Sequence, residues 1–161
     1  MQETRRQSRN SEKSFDRKDE GKIKPVSRKQ GVGKIKKRSV SSIKKECDEI
    51  VKKIVKIRDN FTCQKCGKRV SGSDCQGSHV VPVSAGNKLA FDEQNIKVLC
   101  YHCHMNWWHK DPTVAGEWFK NKFPERHKYL QENRGIKQMK YLDWLELLDL
   151  LRKRFKQAET P

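Results

Sequence analysis

No run of apolar residues in the 161-residue chain approaches the roughly 20 needed to cross a bilayer as a helix. The basic N-terminus lacks the apolar stretch of an export signal and any amphipathic segment with a tryptophan-rich face, so no membrane partner is read and the expected location is the cytoplasm. Aromatic residues make up only 8% of the chain and apolar residues 34%, too little for every residue to share in a core. Acidic residues are scarce beside basic ones, 20 against 37, for a formal net charge of +17. A chain this positive repels itself unless it meets a polyanion. Nucleic acid is the commonest, because each neutralised phosphate also releases counterions.

There is no internal repeat, and the composition divides the chain into three segments. Residues 1–40 are densely basic and almost devoid of aromatic or branched apolar side chains, which reads as a basic arm without fixed structure. Such an arm touches phosphates non-specifically; the blander role is solubility alone. Residues 41–110 open with helical periodicity. Ser41 or Ser42 is a plausible N-cap, and Ile43, Cys47, Ile50, Val51, Ile54 and Val55 form an apolar stripe ending near Asp59 and Asn60. Cys47 on that stripe reads as a small core residue. Two short strands are expected, His79–Val83 and Ile96–Leu99. Residues 111–161 form a helical extension. Asp111 and Pro112 mark one start, Pro124 restarts a helix to about Gln131, and Tyr141, Trp144, Leu145, Leu148, Leu151 and Phe155 line a last helix from about Gln138 to Gln157. Trp107, Trp108, Trp118, Phe119, Phe123 and Tyr129 have the spacing of core residues, with nucleobase stacking as the competing role.

Four of the six cysteines fall into two pairs, Cys63-Gln-Lys-Cys66 and Cys100-Tyr-His-Cys103. Two residues between thiolates let the chain fold back so that each pair bites one tetrahedral ion. Four sulfurs at about 2.3 Å select Zn²⁺ and leave no open position, which makes the site structural. Disulfides would need an oxidising compartment, and a redox Cys-x-x-Cys would not need a matching second pair. The stretch between the pairs is longer than in ordinary zinc ribbons, so something else is held there.

That insert contains Gly77-Ser78-His79-Val80-Val81-Pro82-Val83-Ser84-Ala85-Gly86-Asn87 and Phe91-Asp92-Glu93-Gln94-Asn95-Ile96-Lys97-Val98-Leu99, leading into Cys100-Tyr101-His102-Cys103-His104. From about residue 55 to 110 the chain resembles the HNH (ββα-metal) endonucleases, and within them the phage NinG/Rap-type recombination enzymes. The resemblance implies an α+β fold with a zinc-stabilised ββα-metal core, an N-terminal helix and a C-terminal helical extension. It implies metal-dependent hydrolysis of DNA phosphodiesters, with branched recombination intermediates as substrate. A phage-encoded chain would work in the host cytoplasm.

By the same resemblance His79 corresponds to the general base, Asn95 to the residue that orients it, and His104 to a ligand of a catalytic divalent ion, Mg²⁺ or another. The chemistry is consistent: a neutral imidazole takes a proton from water near pH 7, so activity should fall below about pH 6.5. Ser78 departs from most of the family, whose members usually have Asp or His there as a further ligand. His109 is the best spare donor and Asp92 a weaker one, and metal affinity without DNA is expected to be low. His102 is assigned no role. Lys88, Lys97 and Lys110 are expected along the phosphate path. Three readings compete: a DNA nuclease, a zinc-dependent DNA-binding module that has lost catalysis, with Ser78 as its signature, and a nuclease acting on RNA. A homodimer would suit symmetric cutting of a four-way junction.

Overall fold

The computed structural model describes residues 37–160, so the expected basic arm, apart from its last four residues, lies outside the described residues. The described chain mixes helices with one small sheet, the α+β composition the sequence implies. Its first helix, α1, spans Val40–Arg58 and is capped by Ser39, whose side chain accepts from the Ser42 amide at 3.2 Å. The cap thus falls slightly earlier than Ser41 or Ser42: a helix begins wherever an extended residue first offers an oxygen to the open amides, and Ser39 does so. The stripe from Ile43 to Val55 is buried as its spacing requires, Cys47 included, and burial pushes that thiol's pKa up.

Two four-residue strands follow, β1 (Gln76–His79) and β2 (Ile96–Leu99), paired antiparallel with Gln76 opposite Leu99, Ser78 opposite Lys97 and His79 opposite Ile96. The first strand was expected at His79–Val83; instead His79 ends it. Beyond Val80, whose amide still reaches the Asn95 carbonyl at 2.7 Å, the Asn95 side chain takes the place of a strand partner. Its Oδ1 accepts from the Val81 amide at 2.7 Å, and its Nδ2 donates to the Val81 and Leu89 carbonyls, each at 3.0 Å. A buried amide that satisfies three backbone groups thereby closes the ladder and holds the long loop between the strands. From outside, Arg58 donates to the Glu93 and Ile96 carbonyls at 2.6 and 2.8 Å, and Arg126 to those of Gln94 and Ile96 at 2.7 and 3.0 Å. Burial, with Arg58 close by, lowers the Arg126 pKa to about 10.

After β2 comes a short helix, α2 (Tyr101–Cys103), which widens at once into a π-helical turn over His104–Trp108. Then follow α3 (Pro112–Lys122), capped by Asp111, α4 (Pro124–Glu132) and α5 (Tyr141–Glu159). One core joins all of these: α1 packs on α5, and Trp144, Leu148 and Leu151 of α5 share it with β2, Phe119 of α3 and Leu130 of α4. Among the expected aromatics, Trp108 and Phe119 are buried, Trp107, Trp118 and Phe123 are half-buried, and Tyr129 is exposed with its hydroxyl on Asp92. Among the described residues no helix is long and apolar enough to cross a membrane.

Candidate active site and metal centre

Cys63, Cys66, Cys100 and Cys103 converge so that all four sulfurs lie within 4.8 Å of one another, with Cys66 and Cys100 at 4.0 Å. Tetrahedral Zn–S bonds would put sulfurs about 3.8 Å apart, so a modest contraction closes the shell. The backbone builds the first turn: Gly67, at φ +76°, folds back so that its amide reaches the Cys63 carbonyl, while the Cys63 amide reaches the Lys68 carbonyl. The second pair opens α2, where the Cys103 amide points at the Cys100 sulfur, 3.4 Å away. Burial pushes the Cys103 thiol up, and the neighbouring sulfurs push it further. For Cys63, burial is outweighed by amides aimed at its sulfur, which bring it to about 7. Crowded sulfurs of this kind are relieved by a cation at their centre, and the set fits one zinc ion.

A cavity of about 740 Å³ is lined by His79, His104 and His109, with Trp108 and Phe119 as its wall. His79 and His104 therefore face one space large enough for a phosphodiester. His79 is half-buried, its Nε2 2.9 Å from the Ala90 carbonyl. A carbonyl can only accept, so Nε2 carries the hydrogen and Nδ1 keeps the lone pair. Burial lowers the His79 pKa, with Lys52 and Lys97 acting in the same direction.

His104 is held by Gln76, whose Oε1 lies 2.5 Å from Nδ1, which leaves its Nε2 with the lone pair. That Nε2 is 3.0 Å from the Nε2 of His109. The π-turn explains the pairing. In an α-helix residues i and i+4 align, whereas here the His109 amide bonds to the His104 carbonyl, placing i and i+5 on one face. Burial and the adjacent His109 drive His104 down to about 4, so it is neutral at pH 7. Two imidazole nitrogens at 3.0 Å, one ring steadied from behind by an amide oxygen, fit a divalent ion with a taste for nitrogen.

Several expectations part from this geometry. Lys97 is not on a phosphate path: it is fully buried, because it lies opposite Ser78 on the face of the sheet covered by Trp108. Lys88 and Lys110 are exposed, but neither lines the histidine cavity; Lys88 reaches toward Asn133 instead. The basic groups that do line it are Lys52, Lys120 and Arg134, whose place on three separate segments no local motif announces. Ser78 is buried and does not line the cavity, Asp92 caps the Gln94 amide elsewhere, and His102 is exposed. Gln76 was also missed. The one signal was strand alternation, and it failed because the strand was placed three residues too late.

The HNH endonuclease family model matches residues 63–106, a span that runs from the first cluster cysteine to just past His104. No curated protein and no solved structure matches the chain. The matched span supports the HNH family, and with it nuclease chemistry in general.

Proposed function

We propose that the protein is a divalent-metal-dependent endonuclease that hydrolyses DNA phosphodiesters in the cavity between His79 and His104. The observation that carries this reading is that the two imidazoles face one cavity, in opposed roles, with His79 left a basic Nδ1 and His104 paired to His109. In this reading the β1–β2–α2 unit is the ββα-metal core and the four cysteines are its structural zinc site.

His79 Nδ1 takes a proton from a water in the cavity while its Nε2–H stays on Ala90, which fixes the ring against rotation. Asn95 keeps Leu89, and hence the neighbouring Ala90 carbonyl, in place; it acts through the backbone. Lys52, Lys120 and Arg134 meet the phosphates that flank the scissile one. His104 and His109 would hold the divalent ion, with Gln76 orienting His104. When bound, that ion supplies positive charge for the scissile phosphate and the departing 3′ oxygen. The products are a 5′ phosphate and a 3′ hydroxyl.

Branched recombination DNA is the proposed substrate, resting on the resemblance to the NinG/Rap enzymes. A nicking assay on a four-way junction, a linear duplex and single-stranded RNA, in Mg²⁺, Mn²⁺ and Ni²⁺, tests the whole reading, with His79→Ala as control. Equal rates on junction and duplex remove the branched preference, and cleavage of RNA alone redirects the enzyme to that polymer. The buried Ser78 favours one rival, since the position before His79 offers the cavity no ligand. Binding of DNA without nicking in any of the three ions would establish that rival, a zinc-dependent binding module.

A further inference from the structure

Lys97 is fully buried, yet its Nζ has no hydrogen-bond partner among the described residues. The other three residues of β2 are apolar, and nothing in the strand itself calls for a charge. An ammonium removed from water without acceptors is among the most destabilising groups a core can hold, and its persistence in a native fold asks for a reason. The carboxylate that influences it, Asp59, is already engaged by the Val98 amide and by Arg58, while Arg126 adds like charge. What surrounds Lys97 is aromatic: Nζ lies 3.0 Å from the Trp108 ring centroid and 5.7 Å from that of Phe119.

Those two rings are wall residues of the histidine cavity. Trp108 also donates its Nε1–H to the His79 carbonyl at 3.2 Å, so the ring above Lys97 is tied to the residue read as the base. We propose that Lys97 is a positioning residue for the cleavage reaction: from behind Trp108 its ammonium supplies the counter-charge that a phosphate in the cavity meets across the ring. The proposal rests on the nuclease reading.

One aromatic ring is a thin partition, and an apolar layer screens charge far less than water does. The face of an indole welcomes a cation, so Trp108 both seats the ammonium and transmits its field. A phosphodiester carries one negative charge, and the five-coordinate arrangement reached as water adds carries two. A fixed positive charge therefore favours the top of the barrier over bound substrate, and its contribution belongs in kcat more than in KM. Burial pulls the Lys97 ammonium well below its ordinary pKa, and an anion across the ring acts in the opposite direction.

The test is Lys97→Met, which keeps an unbranched stem as far as Cε and removes the ammonium, read by thermal melting and by steady-state cleavage beside wild type and His79→Ala. The expected result is a higher melting temperature with kcat reduced at least tenfold and KM changed less than twofold. A Met variant that cuts like wild type, or whose loss lies wholly in KM, overturns the proposal and leaves the nuclease reading intact. One that melts lower or fails to fold overturns it too, by showing that the ammonium belongs to the fold's own bonding. A wild-type protein inert in every divalent ion removes the underlying reading, and this proposal with it.

Discussion

At position 79 one ring nitrogen is committed to Ala90 and the other is basic, so removing the ring should leave the fold almost untouched and the chemistry without its base. His79→Ala is expected to lower cleavage by at least about a hundredfold, with zinc content and melting temperature unchanged in metal analysis and calorimetry. Because burial depresses the His79 pKa below its ordinary 6.5, the neutral base persists into more acid solution. Cleavage should therefore hold its plateau past pH 6.5 and fall only below it, and a rate profile that declines from above pH 7 would contradict this. His104 carries a matching consequence for stability. Its folded pKa of about 4 lies below the unfolded 6.5, so its contribution is fully present above pH 6.5 and is lost as pH falls toward 4. Melting temperature measured across that window, with and without His104→Ala, checks the sign. At this scale the sequence was informative where a residue type has few uses, as with the paired cysteines, whose four sulfurs converge. It misled at Lys97, because lysine is almost always at the surface and only the register of β2 against β1 buries it.

Among the elements, helices announced themselves through apolar spacing and proline or aspartate at their starts, as at Asp111–Pro112. The strands are too short to show a period, so β1 could be placed only through its partner. The π-turn was illegible: nothing in His-Met-Asn-Trp-Trp distinguishes hydrogen bonding to the fifth residue back from bonding to the fourth, and in the structure the turn ends with Trp108 over Lys97. Asn95 carries the loop between the strands, and Asn95→Ala leaves the Val81 and Leu89 groups unpaired. A loss of about 3 kcal/mol in denaturant unfolding is expected, at roughly 1–3 kcal/mol for each orphaned group with partial rescue by water, together with a lower cleavage rate as Ala90 loosens. Gly86 is a second fixed point. It sits at φ +139°, and a Cβ there would come within 2.5 Å of the Gly135 carbonyl oxygen. Gly86→Ala should cost about 1–3 kcal/mol, visible as a lower midpoint in the same titration.

For the molecule as a whole, the sheet is small, and the four-cysteine cluster, which fits a zinc ion, and the α1–α5 contact draw distant segments together. Cys63→Ser is expected to lower zinc occupancy and to abolish cooperative melting, since structural zinc sites contribute on the order of 10 kcal/mol. A sharp transition retained without zinc would show that the helices suffice. That α5 would return to pack on α1 could not be read from either helix alone, because an amphipathic face names no partner. Positive charge acts at this scale as well, and DNA affinity should fall steeply with added salt.

Cys103 and His104 are consecutive, one belonging to the sulfur cluster and the next opening the pair of imidazoles. With both sites loaded as proposed, a single sequestering agent has two targets one peptide bond apart, four sulfurs holding zinc far more tightly than two imidazoles hold a divalent ion. Titrated into the active protein, it should silence turnover first, reversibly on adding back a divalent salt, and only at higher dose unravel the helix on which the imidazoles stand. Inhibition in two steps, the second not undone by Mg²⁺, is the signature that shared backbone would leave.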